Sequence, residues 1–460
     1  MSFSGRGLAH VIAAHLLHLR DRARQRDAVE QAKRCLVDFF AVSLAARYES
    51  TATSVIEMVA ETGETGNATV LCSGARTSAP LAALVNGTVA HTLDFDDTLW
   101  SYIGHPTAVV LPAACALAEG CTCSGKELLE AFTLGVEAAH LIGKSVPAAL
   151  CARGFHPTPI VGTVAAAAAA ALVSNEDTAG ITRAMTLATN MASGLRQNFG
   201  SSAKPIVAGW AAHAGIMAAL MAQQGLTGSE SALEGPQGFY QATSSQAVAI
   251  EAIESDELAL ISPGVGLKLY PCCTGTHPAI DAMLSITREF DHTSERVRSV
   301  EVTVTPEVLG ELIYPLPLNA AQARFSLPYC TAIVFQKAQV ELDHFREPFS
   351  VDPEVIEFMK RIRVRSDSSL ERTGGSNCPA ARAIVTTDTG RQYESCIGAA
   401  RGNPSNPATN EELDRKFHRC AGVGGLAPSA AQAVLSDLRC FQDIPSIGQW
   451  VSSRLVPLLS

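Results

Sequence analysis

The chain is poor in charge and in aromatic rings: of its 460 residues, 17% are charged and 6% are Phe, Trp or Tyr. It carries no glycine-rich phosphate loop after a strand, which removes support for a nucleotide fold. It lacks Gly-x-Ser-x-Gly, the turn a Ser-His-Asp hydrolase would want. The thirteen cysteines are odd in number, and neither Cys121-Thr-Cys123 nor Cys272-Cys273 has zinc-ribbon spacing or a matching second pair. Reduced thiols in a cytoplasmic protein are the expected state. The longest apolar run, Val161 to Val173, is mostly alanine and too short for a bilayer, so no membrane partner is expected. The start, Met-Ser-Phe-Ser-Gly-Arg-Gly, precedes a stretch dense in His and Arg and does not read as a secretory signal. A net charge of −10 disfavours nucleic acid. It leaves room for a small anion, because a site can be locally basic inside an acidic protein.

What is present is 47% hydrophobic residues with abundant alanine, a mix that suits a large, closely packed helical core. The length exceeds what one core usually serves. Residues 8–260 read almost entirely as helix. Ala28 to Ala45 places Val29, Ala32, Leu36 and Phe39 on one stripe. Pro80 to Val89 opens with a proline suited to a first turn. A segment from Pro112 to Glu119 leads to Ser124 and Glu127, spaced as a capping box. Thr163 to Leu172 and Ala208 to Gln224 are small-residue helices. Near Leu267 the pattern changes. Ser299 to Val304 and Arg361 to Arg365 alternate with period two, and Asp388-Thr-Gly390 sits between two further strands as a hairpin turn. Helices at 278–290 and 325–340 lie among them. Past Asn403-Pro the chain returns to helix, which predicts that the C-terminus packs back on the first part.

Four polar islands interrupt the apolar sequence. The first runs from His91-Thr-Leu-Asp94-Phe-Asp96-Asp97-Thr98 to Gly104-His105-Pro106. The others are Gly154-Phe-His156-Pro-Thr158, Phe199-Gly-Ser-Ser-Ala-Lys204-Pro205, and Lys268-Leu-Tyr270-Pro-Cys-Cys-Thr-Gly-Thr-His277. Charge between core-forming segments is expensive to bury unless it is paired or used. Each island sets His or Lys beside Gly or Pro, on a backbone break where sites are built. Bland readings compete: His156 and His277 as helix-start histidines bonded to backbone, Lys204 and Lys268 as solvated lysines, Asp96 and Asp97 as helix caps, Cys272 and Cys273 as small core residues. The recurrence of four islands of one character favours function. Lysines and histidines bind carboxylates, and a carboxylate with a neutral His exchanges protons near pH 7 once burial tunes them. Metal ligation by Asp94, Asp97 and His105 has no helical His-x-x-x-His signature, so no metal is expected.

These islands, together with Glu234-Gly-Pro-Gln-Gly-Phe239, Ala323-Arg-Phe-Ser326 and Lys416-Phe417, resemble in order the MmgE/PrpD family, over nearly the whole chain. That family includes 2-methylcitrate dehydratase, cis-aconitate decarboxylase and iminodisuccinate epimerase. The resemblance implies a mainly α fold: a large all-helical domain formed by both chain ends (1–265 and 405–460) and a smaller α+β lid (266–404). It also implies a homodimer and no organic cofactor. It places Asp94, His105, His156 and Lys204 in catalysis and Thr98 and Tyr314 at the substrate, to which the fourth island adds Lys268, Tyr270 and His277. The implied activity is that of a lyase on a small di- or tricarboxylate, by proton transfer next to a carboxylate. A 2-methylcitrate dehydratase-like reaction is expected first; the bulky, apolar stretch from Leu99 to Gly104 departs from the more polar decarboxylase pattern and leaves the substrate open. Epimerisation of an iminodisuccinate-type substrate and decarboxylation of cis-aconitate are the alternatives, and a silent anion-binding homologue is the non-enzyme alternative.

Overall fold

The computed structural model describes residues 6–245, 255–372 and 379–459. Part of the expected 8–260 helical region, residues 246–254, lies outside the described residues. The chain is mostly helical, with a short two-stranded antiparallel pair (Ala68–Thr69 with Arg76–Thr77) and one small four-stranded mixed sheet. In chain order the helices that build the site and its surroundings are α1 (Arg26–Ala46), α2 (Ala79–His91), α3 (Thr107–Ala118), α4 (Gly125–Gly143), α5 (Pro157–Val173), α6 (Thr178–Ala188), α7 (Ala203–Gln223), α8 (His277–Glu289), α9 (Leu327–Lys337), α10 (Asn410–Val423) and α11 (Pro428–Arg439). Ser124 and Glu127 form the capping box of α4. The helical region is not continuous: segments 92–106 and 224–238 are irregular. The first of these is the Asp-rich island itself, where short polar side chains and Gly104 offer the backbone partners other than its own helix.

Small residues decide how the helices meet. A Cβ at Gly209 would sit 2.0 Å from the Leu84 carbonyl, and one at Gly215 would sit 2.5 Å from Ala166 Cβ. Backbone contact at these two points lets α7 cross α2 and α5 closely. The last residue of α2, His91, and the first turn of α7, with Lys204, are thereby brought together. Helix α7 is long and apolar enough to cross a bilayer by length and composition, but 61% of its apolar window is buried inside the protein. It is a core helix.

The sheet has β1 (Val297–Val304), β2 (Ile362–Ser366), β3 (Ala381–Thr387) and β4 (Gln392–Ile397) in the order β2-β1-β3-β4. β1 and β2 are parallel, with Val302 opposite Val364. β3 is antiparallel to β1 and to β4. The expected hairpin forms, and Gly390 takes the left-handed position (φ 87°) that closes its three-residue loop. Val300, Val302 and Val304 are fully buried, and α8 packs on β3 and β4.

Two hydrophobic cores result. One gathers residues from 8 to 267 with Leu342 and residues 408 to 459; the other gathers residues 272 to 393. The C-terminal helices do pack back: α10 lies along α1. There Lys416 Nζ donates to Asp38 (2.6 Å) and to the carbonyls of Phe95 and Lys268 (both 2.8 Å). This buried ammonium ties both chain ends to the segment that leads into the sheet.

Candidate active site

The irregular segment after α2 is held by its own side chains. Asp97 accepts the Thr107 backbone N–H (3.2 Å) and the Thr107 hydroxyl at the start of α3. Helix α3 therefore begins at Thr107, before Pro112, where the sequence pattern had placed it. Asp97 serves as a cap, one of the bland readings above. Thr98 pairs with Gly266 through two backbone hydrogen bonds of 2.8 Å, which lays the Lys268 segment against the island. Asp94 is left-handed (φ 50°), an uncommon conformation that aspartate tolerates better than most residues. Lys268 Nζ secures it, donating to the Asp94 carbonyl (2.7 Å) and to Oδ1 (3.0 Å).

Charge then converges on one carboxylate. Lys204 Nζ also donates to Asp94 Oδ1 at 3.0 Å and to His91 Nε2 at 2.8 Å. Because Nε2 accepts from an ammonium, His91 is the neutral Nδ1–H tautomer, and it gives that proton to Asp96 (2.8 Å). Burial, with Lys204 nearby, lowers His91 to about 4 despite Asp96. His105 Nδ1 donates to the Asp97 carbonyl (2.8 Å) and lies 3.3 Å from Asp96. Its Nε2 is left free of a proton when neutral, 3.7 Å from Asp94 Oδ1. Burial lowers His105, opposed by Asp96, and burial and Lys204 lower His156 well below the ordinary value. Burial would raise Asp94 and Asp96. Lys204 and Lys268 hold the former well below the usual carboxylate range, and the two imidazoles do so for the latter. Burial also works against the Lys268 ammonium, and Asp94 more than reverses it.

These groups face a narrow cleft of about 40 Å³, lined by Asp94, Thr98, His105, His156, Lys204 and Lys268. A single water needs roughly 10–15 Å³ on this scale. Its far wall carries an ion pair, Arg196 Nη2 to Glu311 Oε1 at 3.2 Å, in which burial raises the Glu311 carboxyl. A wider cavity of about 420 Å³ reaches Asp94 and Lys204 from the other side, beside His91 and Arg324. The arrangement can bind carboxylates, stabilise an enolate-like charge and move a proton through His105 Nε2.

His91, Asp94, Asp96 and His105 have potential ligand atoms within 4.8 Å of one another. That donor set could hold a divalent cation. Two ammonium groups 3.0 Å from Asp94 Oδ1 already supply positive charge there, so the donors fit a metal poorly.

The models of the MmgE/PrpD N-terminal and C-terminal domains match residues 10–250 and 270–438. The chain belongs to the MmgE/PrpD family. It is similar to the cis-aconitate decarboxylase of Homo sapiens, 28% identical over 417 residues, covering 87% of this chain and 84% of that protein. The corresponding mouse protein is 28% identical over 348 residues (73% and 70%). That of Aspergillus terreus is 23% identical over 422 residues (86% and 85%).

In this MmgE/PrpD chain, six of the nine residues singled out from sequence share the cleft: Asp94, Thr98, His105, His156, Lys204 and Lys268. The other three do not line it. Tyr270 bonds Asp281 (2.5 Å) and faces a different cavity. His277 stacks edge-on against Tyr270 and lines a small neighbouring cavity with Lys268 and Thr274. The Tyr314 hydroxyl donates to the Phe199 carbonyl at 2.6 Å, bracing the loop before Lys204. Sequence reasoning missed Arg196 and Glu311, which sit in no polar island. It quoted His91 without a role and read Asp96 only as a helix cap, whereas Asp96 lies against His91 and His105. The signal for His91 was its place at the end of an apolar helix, three residues before Asp94.

The buried neutral imidazoles make stability fall in acid. An unfolded chain takes up a proton on His91 below about pH 6.5, which the folded chain refuses until about 4. The His91 contribution is complete above 6.5 and is lost as pH falls to 4, a difference on the order of 3 kcal/mol. Urea midpoints measured at pH 7, 5.5 and 4 should fall steadily, and more steeply in the wild type than in His91→Gln.

Proposed function

We propose that this chain is a lyase acting on a small di- or tricarboxylate by proton transfer next to a carboxylate. The observation that carries the reading is the meeting of two buried ammonium groups on Asp94 Oδ1 beside the proton-free Nε2 of His105. Lys204 and Lys268 supply positive charge for a substrate carboxylate and for the electron pair left on carbon. His105, oriented through Nδ1, gives or takes the proton. The relatives named cis-aconitate decarboxylase favour decarboxylation as the net reaction. In it the C–C bond to a carboxylate breaks, CO₂ leaves, and the retained electron pair takes a proton.

Dehydration of a methylcitrate-like substrate is the second reading. Trp100 and Ile103 line the cleft and offer an apolar wall to an alkyl substituent. In both readings residues 266–404 act as a lid over 1–265 and 405–460, and the chain works as a homodimer. The narrowness of the cleft supports the lid, since a citrate-sized molecule fits between His105, His156 and Lys268 only if the walls part. Purified protein incubated in D₂O with cis-aconitate, 2-methylcitrate, citrate and iminodisuccinate, and followed by proton NMR, tests this. Deuterated product with loss of CO₂ supports decarboxylation, loss of water supports dehydration, and exchange with inversion supports epimerisation. No turnover of any of the four would sink the lyase reading.

Arg196 is expected to take a second substrate carboxylate. Arg196→Ala should raise KM for a tricarboxylate by about 10-fold, one charge-assisted contact, with kcat little changed. Steady-state kinetics checks this, and an unchanged KM would remove Arg196 from the substrate.

A further inference from the structure

A further cavity, of about 650 Å³, lies between the two hydrophobic cores and shares no lining residue with the catalytic cleft. In a chain of net charge −10, its wall gathers Arg288 from α8 and Arg415, His418 and Arg419 from α10, with buried Lys416 beside them. The two carboxylates in the wall are already engaged, Glu341 by Arg419 and Glu412 by Arg401. Lys416 is spent on Asp38 and two carbonyls. Arg288 and Arg415 are exposed, and among the described residues their guanidinium groups have no hydrogen-bond or ion-pair partner.

Arg415 and Arg419 stand four residues apart on one helical face. Arg288 faces them from the other core. An anion seated between Arg288 and Arg415, beside the Arg419–Glu341 pair, bridges the two cores. Guanidinium forks match the paired oxygens of carboxylate and phosphate. The volume falls in the range of small-molecule sites, and Leu269, Leu284 and Leu342 supply an apolar side.

We infer that this cavity binds a small polyanion, a phosphate ester or a polycarboxylate with at least two negative charges, at a site separate from the catalytic cleft. Isothermal titration of the full chain with sodium pyrophosphate and with citrate, at about 150 mM ionic strength where surface pairs are screened, tests it. The comparison is wild type against Arg288→Ala/Arg415→Ala, each also in a Lys204→Ala background, so that citrate held in the catalytic cleft is told apart. At least one probe should bind the wild type and raise its Tm, as any ligand selective for the folded state does. The double variant should weaken that binding about 10-fold or more while keeping turnover and its unliganded Tm. Loss of pyrophosphate binding alone identifies a phosphate ligand; loss of citrate binding that had survived Lys204→Ala identifies a polycarboxylate. Absence of binding by both probes, or binding unchanged in the double variant, overturns the site.

Discussion

His105→Ala should lower kcat/KM by about 10²–10⁴, the range for a positioned general acid or base. It should also suppress deuterium wash-in from heavy water more than it weakens substrate binding, because the lost group acts in the transition state. The reason is geometric: Nδ1 is committed to the Asp97 carbonyl (2.8 Å) and to Asp96, so Nε2 alone faces the cleft. The pH profile gives a second readout. Burial lowers His105 from 6.5, so its basic form persists below the pH at which an ordinary histidine protonates. In the wild type the acid limb of kcat/KM should therefore lie below about pH 6.5, with activity lost as pH falls through the folded value. In His105→Ala that limb should vanish. Unchanged exchange and an unchanged profile would mean that His105 only shapes the pocket, and would move the proton carrier to His156 or Glu311.

Lys204→Ala should lower kcat/KM by at least about 100-fold, the scale of losing one preorganised charge contact. The fold should survive, because Asp94 keeps Lys268 at 3.0 Å from Oδ1 and through its carbonyl. Circular dichroism and Tm separate the two effects. Lys204→Arg should rescue little: the ammonium sits between His91 Nε2 (2.8 Å) and Asp94 Oδ1 (3.0 Å), and a planar fork does not fit that point-like position. Near-wild-type turnover in Lys204→Ala would remove this lysine from the chemistry.

Much of the molecule was legible before any coordinates. Local rules carried it: apolar periodicity marked α1, a proline suited to a first turn marked α2, a run of small residues marked α5, the Ser124–Glu127 box gave the start of α4, and Asp388-Thr-Gly390 gave the hairpin. The polar islands were visible because charge inside apolar sequence is costly, and four of them supply the cleft residues Asp94, Thr98, His105, His156, Lys204 and Lys268. Family likeness added what the residues alone could not give, including Tyr314, which the fold uses to brace Phe199.

What a linear reading could not decide is which polar groups meet. Asp96 and Asp97 are neighbours, yet one bonds His91 and lies 3.3 Å from His105 while the other caps α3, because successive side chains leave an irregular backbone in different directions. Arg196 and Glu311 are 115 residues apart in sequence and 3.2 Å apart in space, a pairing set by how the α+β part sits on the helices. His91 becomes a neutral acceptor only because Gly209 and Gly215 let α7 cross α2 and α5 at backbone contact and so deliver Lys204 to its Nε2. The sequence by itself determined the elements, their caps and the stock of basic and acidic groups, since those depend on spacing and side-chain chemistry over a few turns. The tertiary structure alone decided protonation states and partners, since both depend on burial and on charges delivered from distant segments.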